Sequence, residues 1–247
     1  MNKHLLPLPT RGVFVRSVIR ARCYLLVLCV LILASGCSGS SFKLKDLAKS
    51  DIDFVADAHY QVTQGLLREL TTKLYLRNPV QLTRAQHSGI TLAIRQQQLF
   101  GDPGPLQFAE LNEKRGTEAL DLALDQDFSG DRVFALLAGL TGMIRASYGY
   151  RDEFFMLDKL DEQKLYESAR NMEILLWRLS MARNTSSGQP LILTNYLPGE
   201  TANLSFERLF GKLVATQDML GLIAAQTNNR LISQVAHNTA SLVFFPL

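Results

Sequence analysis

Residues 131–146 read DRVFALLAGLTGMIRA. Between Arg132 and Arg145 no ionisable side chain occurs, and apolar residues fall on every side of a 3.6-residue period. A helix that is apolar all round is buried by its neighbours. The run closes at Arg145 and is too short for a bilayer span, which needs about 20 apolar residues. Ala135, Ala138, Gly139, Gly142 and Ala146 set small side chains along one side, a pattern that lets another helix approach closely. The stretch therefore predicts a central helix with others packed around it, a larger side chain at Gly142 being expected to clash. The alternative is that Gly139 and Gly142 form the wall of a groove for an apolar ligand.

The flanking chain agrees with a helical domain. Ser50 and Asp53 resemble a capping box with Asp in place of Glu. Ile52, Val55, His59, Val62, Leu66 and Leu70 then recur at three- and four-residue steps, as one face of a helix. Asn78-Pro79 ends this helix or begins the next, and a second helix is expected from Pro79 to Phe100. Gly101-Asp102-Pro103-Gly104-Pro105 is a loop. Further helices are expected from Phe108 to Leu124, from Asp131 to Ile144, and from Asp161 to Arg183 with Leu165, Met172, Leu175, Leu176 and Leu179 inside. Leu191 to Leu197 suits a short strand or extended segment. Ser205 opens a final helix carrying Phe206, Leu209, Leu213, Leu220, Ile223, Leu231 and Val235. No series of alternating strands occurs. The fold class is all-α, one domain of about six or seven helices over residues 51–247.

The N-terminus has a different character. Residues 1–36 carry Lys3, Arg11, Arg16, Arg20 and Arg22 and no acid, while the rest has 21 basic against 23 acidic residues, a net charge of −2. After the basic part come eleven apolar residues, Tyr24 to Ala34, and then Ser35, Gly36 and Cys37. A basic start, a short apolar run and a small-residue exit make a secretory signal peptide. Ala34-Ser35-Gly36-Cys37 resembles the lipobox of bacterial lipoproteins, with Ala34 where Leu is usual. The resemblance implies cleavage before Cys37, a diacylglyceryl thioether on Cys37 and an acylated amino group. Two or more acyl chains hold a protein stably on a membrane. Ser38 after the lipidated cysteine resembles the outer-membrane sorting class of Gram-negative bacteria, facing the periplasm. Residues 37–50 then form the lipidated cysteine and a Ser-, Gly- and Lys-rich tether.

The remaining composition narrows the function. Hydrophobic residues make up 47% and charged residues 20% of the chain, which excludes a disordered or collagen-like protein. Of three cysteines, Cys23 and Cys29 lie in the cleaved peptide and Cys37 carries the anchor. No disulfide and no cysteine metal site is then expected in the mature chain. A charge of −2 without a basic stripe argues against nucleic acid.

Five features could carry chemistry. Asp125, Asp127, Ser129 and Gly130 resemble the first half of an EF-hand calcium loop, with Asp131 following. Position 12 of that loop is Leu136 where a bidentate Glu belongs, so coordination would be weak. The competing reading is a helix junction whose Asp and Ser side chains cap the next helix. Tyr148, Tyr150 and Arg151 follow the apolar helix and could form a binding surface with Gly139 and Gly142, with Gly149 as the C′ residue. Glu167-Ser168 resembles the acid of lytic transglycosylases, but no Gly-Leu-Met-Gln motif follows. His59, His87 and His237 form no metal-ligand pair at helical spacing. The terminal Ser241-Leu242-Val243-Phe244-Phe245-Pro246-Leu247 is expected to dock into the core or a partner, since exposed it invites aggregation. The chain thus reads as a membrane-anchored envelope lipoprotein with a non-catalytic scaffold, assembly or adaptor role, a protein partner in the envelope and no cofactor. The alternatives are a carrier of lipid or another apolar ligand and, further off, an envelope hydrolase.

Overall fold

The computed structural model describes residues 49–85, 87–155, 158–195, 203–228, 232 and 243–247. Among them are six α-helices: α1 (Asp51–Arg77), α2 (Leu92–Phe100), α3 (Gly116–Leu124), α4 (Arg132–Ser147), α5 (Glu162–Met181) and α6 (Ser205–Asn228). Two 3₁₀ turns, Pro79–Arg84 and Ala109–Leu111, complete the set. No strand forms among the described residues; Arg183 and Pro190 make one isolated antiparallel bridge. From Lys49 onward the described chain is one helical unit. No described helix is long and apolar enough to cross a membrane.

The apolar run at 131–146 forms the centre, as its sequence predicts. All sixteen residues of α4 are buried. It packs against α3 and α5, and also touches α1, α2 and the first 3₁₀ turn. α5 and α6 form the second close pair, and α1 lies against α6. Asp131 caps α4 by accepting the Phe134 amide at 2.9 Å. Gly149, at φ +65°, ends it: the Tyr150 amide reaches the Arg145 carbonyl and the Gly149 amide the Ala146 carbonyl, the two bonds of a Schellman motif.

Two helices depart from the expected boundaries, and a third turns a different face inward. The stretch 79–100 is broken by Gly89, at φ +83°, and α2 restarts only after Thr91, whose hydroxyl accepts the Ile94 amide. The stretch 108–124 is broken because Asn112 and Glu113 adopt left-handed conformations, leaving a single 3₁₀ turn before α3. Non-glycine residues seldom take that conformation, so composition gave no warning. In α1 the buried face is Asp53, Ala56, Tyr60, Thr63, Leu67, Leu70 and Leu74, about one residue round from the apolar stripe. Val55 and Val62 point outward at 36% and 55% exposure. The polar residues inside satisfy themselves locally where they can: Thr71 donates to the Leu67 carbonyl at 2.7 Å. The Ser50 amide and hydroxyl both donate to Asp53 Oδ2, at 2.7 and 2.6 Å. At α5 the expected face holds, except that Leu176 is only half-buried; Asp161 caps the helix through the Gln163 and Lys164 amides. In α6, Leu231 and Val235 lie outside the described residues.

Two extended segments are stitched on by asparagines. Asn78 accepts the Leu193 amide at 2.8 Å and donates to the Leu193 carbonyl at 2.7 Å. This holds the Leu191–Asn195 stretch in strand-like fashion without a strand. Asn171 does the same for Phe245, at 2.7 and 2.9 Å, and Phe244 is buried beneath Arg178. Phe244 and Phe245 are therefore docked on α5, while Val243 is exposed and Ser241 and Leu242 lie outside the described residues.

The small-residue stripe divides between its two glycines. A Cβ on Gly139 would lie 2.7 Å from the Gly116 carbonyl oxygen and 2.8 Å from the Leu120 nitrogen, both backbone atoms of α3. A Cβ on Gly142 would be 3.6 Å from its nearest neighbour, an ordinary contact. The expectation that both face a neighbour tightly is thus corrected at Gly142, because α3 begins at Gly116 and leaves space beyond its first turn. Gly139→Ala is expected to lose about 1–3 kcal/mol of stability through the clash, outweighing the roughly 0.5–1 kcal/mol gained from helix propensity. Gly142→Ala keeps the propensity gain. Paired thermal melts check this: Gly139→Ala should melt several degrees below wild type and Gly142→Ala at or above it, and a common direction of shift contradicts the assignment.

Candidate functional site

Polar groups in this domain gather around the arginines of α2 and α4. Arg95 of α2 is fully buried. It pairs with Glu110 through two bonds, at 2.5 and 2.9 Å, and with Asp131 at 3.1 Å, and its guanidinium stacks 3.7 Å from the centre of the Phe134 ring. The Tyr75 hydroxyl donates to the same Asp131 oxygen at 2.8 Å. Burial, followed by the Asp131 charge, pushes the Tyr75 phenol far above its ordinary value, so it stays a donor. This cluster joins α1, α2, the second 3₁₀ turn and α4.

Arg132, at the other side of the α4 N-terminus, bears on the calcium reading. Its guanidinium donates to the carbonyls of Ala123 at 3.1 Å, Gln126 at 3.0 Å and Asp125, and so caps the end of α3. A cation already lies against the loop oxygens. Asp125 turns its carboxylate onto the Asp127 amide at 3.1 Å, Asp127 and Ser129 are exposed, and Asp131 is committed to Arg95 and Tyr75. The four residues do not converge on a point, and Leu136 is in the core. Among the described residues no group of three His, Cys, Asp or Glu is placed to hold a metal. In the structure the loop joins α3 to α4.

The surface expected from Tyr148, Tyr150 and Arg151 is not a continuous one. Tyr148 is 1% exposed and belongs to the core, its ring 5.1 Å from that of Tyr60 and 5.9 Å from that of Phe154. Burial pushes its phenol well above the ordinary value. The reason is the Schellman turn, which folds Tyr148 back under α4 and sends only Tyr150, at φ +58°, outward. Arg151 pairs with Asp158 at 3.3 Å. Glu167 accepts from Gln163 one turn earlier on α5, and the Ser168 hydroxyl donates to the Leu165 carbonyl. His59 lies half-buried with Nδ1 3.3 Å from the Thr216 carbonyl, and His87 is exposed. His237, Cys37 and Ser38 lie outside the described residues.

Two clefts flank the C-terminal half of α4. One, of about 340 Å³, is lined by Leu106, Arg115, Glu118, Gly142, Tyr150 and Leu247 among others. It takes in Gly142 but not Gly139, and charged side chains share its wall. The other, of about 360 Å³, lies between α1, the loop after α2 and α4, and is lined by Tyr60, Gln64, Arg68, Phe100, Arg145 and Asp152 among others. Sequence reasoning missed this second cleft. Its one visible signal was Arg145, a charge in an otherwise apolar helix, which marked only the end of the apolar run.

If Arg132 holds the 125–131 loop, millimolar calcium added to the protein should give no heat that depends on Asp125 or Asp127. A binding isotherm lost in Asp127→Ala contradicts the helix-junction reading.

No family model, no curated protein and no solved structure matches the chain.

Proposed function

We propose that the chain is an exported lipoprotein held on a membrane by acyl chains on Cys37, with a helical domain that serves as a non-catalytic scaffold or adaptor in the cell envelope. The observation that carries this reading is the order of the N-terminal sequence: five basic residues without an acid, eleven apolar residues, and Ala34-Ser35-Gly36 before Cys37. The helical domain supports it in two ways. First, several buried ionisable groups are used in construction: Arg95, Glu110 and Asp131 hold helices together, and Arg132 caps one. Second, Val55 and Val62 keep an apolar stripe on the outer side of α1, where a partner can cover it.

Lys49 is where the tether meets the domain. Its ammonium pairs with Asp57 of α1 and with Glu153 at 3.0 Å, and lies 5.0 Å from the Phe155 ring centre. A dozen residues of fully extended chain reach at most roughly 40 Å, so a domain tethered this way works close to the lipid surface. Ser38 points to the periplasmic face of the outer membrane in a Gram-negative host.

Cys37→Ser tests the proposal. Metabolic labelling with palmitate and membrane fractionation should show the wild type processed, labelled and membrane-bound, and the variant unlabelled and uncleaved. Processed, membrane-bound protein from the variant contradicts it. Ser38→Asp should move the protein toward the inner membrane in a Gram-negative host, and unchanged fractionation counts against the sorting assignment.

A further inference from the structure

The three arginines buried among the described residues are not treated alike. Arg95 faces two carboxylates, and Arg132 faces three carbonyls at the end of α3. Arg145 is 3% exposed and donates to two carbonyls, Leu99 at 2.8 Å and Gly104 at 3.1 Å. Among the described residues no carboxylate lies within ion-pair range of it, and its Nε–H is buried without an acceptor. A guanidinium has five N–H donors in a fixed fork and no acceptor, so Arg145 keeps donor capacity that the protein does not use.

That capacity belongs to a cleft with more of the same kind. Gln64 Nε2 is also buried without an acceptor and lines the same 360 Å³ space. Arg68 brings a second guanidinium, laid over the Phe100 ring 4.5 Å from its centre. The Tyr60 hydroxyl lies against Arg145, and burial, opposed by the Arg145 charge, leaves its phenol above the ordinary value and hence protonated. Two guanidinium groups, the Gln64 amide and the Tyr60 phenol, whose oxygen takes a hydrogen bond from Arg145, therefore line one cleft that is rich in donors. The exception is Asp152, an exposed carboxylate on the lining.

We propose that this cleft binds a phosphate ester that carries a short-chain ammonium group, with Arg145, Arg68 and Gln64 on the phosphate and Asp152 on the ammonium. A carboxylate offers two oxygens to this many donors, whereas a phosphate monoester offers three strong acceptors and suits planar guanidinium forks. A bare phosphate dianion would meet Asp152 as a like charge; a zwitterion meets it as an opposite one. The cleft volume exceeds what inorganic phosphate fills and leaves room for the amine arm. Phosphoethanolamine has this chemistry; as a lipid head group it is a phosphodiester, which keeps two of the three acceptors, one negative charge and the ammonium arm. The site is independent of the lipid-anchor reading, since it uses only the helical domain.

Titration calorimetry on the full-length protein in a maltoside detergent tests this with phosphoethanolamine, inorganic phosphate and ethanolamine as probes. Phosphoethanolamine should bind about tenfold or more tightly than phosphate, and ethanolamine should not register. Arg68→Gln and Gln64→Leu, which leave the Arg145 carbonyl bonds in place, should each weaken binding by about tenfold while the ligand-free melting temperature stays within a degree or two of wild type. Asp152→Asn should remove the preference for phosphoethanolamine over phosphate. Dihexanoyl phosphatidylethanolamine distinguishes the sources: equal or tighter binding identifies a lipid head group, and binding of the free ester alone identifies a soluble metabolite, each in support of the site. Absence of binding by all three phosphate compounds, or binding unchanged by Arg68→Gln, overturns the proposal.

Discussion

The structure depends on one buried ion pair, Arg95 with Asp131. Taking two charges out of water costs several kcal/mol per ion, and attraction offsets this only when every remaining donor and acceptor is also satisfied. Here they are. Asp131 gives one oxygen to the Phe134 amide and the other to Arg95 and Tyr75. Arg95 gives its remaining donors to Glu110 and Gln98 and lays its face on Phe134. One carboxylate thus begins the central helix and fixes where α1, α2 and the second 3₁₀ turn meet it. α2 has nine residues, too few to be stable as an isolated helix in water. It persists because Arg95 leads from it into the core, and because Arg145 takes the Leu99 carbonyl at its end.

The same logic explains why α4 can be buried along its whole length. A helix leaves unpaired amides at its start and unpaired carbonyls at its end, and a buried helix must satisfy both from protein groups. Asp131 serves the start and the Schellman turn at Gly149 the end. The charges that remain on α4, Arg132 and Arg145, then serve the ends of its neighbours α3 and α2. Arg132 donates to three carbonyls in this way. Arg145 donates to two and keeps a buried Nε–H without an acceptor, on the side chain that lines the cleft beside α1.

Features set by local rules were legible in the sequence. Asp131 and Asp161 cap the helices they precede, Gly149 ends α4, and the apolar run 133–144 is central because nothing in it tolerates water. Features set by tertiary contact were not. The face of α1 was misread because Tyr60, Thr63 and Thr71 lie inside while Val55 and Val62 lie outside, and an apolar count cannot anticipate a polar seam. The breaks at Asn112 and Glu113 rest on left-handed backbone in residues that carry no glycine signal. The cleft escaped for the same reason. Gln64 and Arg68 come from α1 and Arg145 from α4, so their convergence exists only after packing. Tyr148 was assigned to the surface because it follows a helix end, yet the turn that ends the helix tucks it beneath.

A double-mutant cycle across Arg95 and Asp131 measures the central constraint most directly. Arg95→Met retains much of the side-chain bulk against Phe134, and Asp131→Asn retains a cap for α4 while removing the charge. Stabilities of the wild type, both single variants and the double variant, from urea denaturation, give the coupling energy. If the buried pair organises the domain, the coupling should exceed about 1.5 kcal/mol, the double variant costing less than the sum of the two single changes by that amount. A coupling below about 0.5 kcal/mol, the range of an exposed pair, contradicts the account.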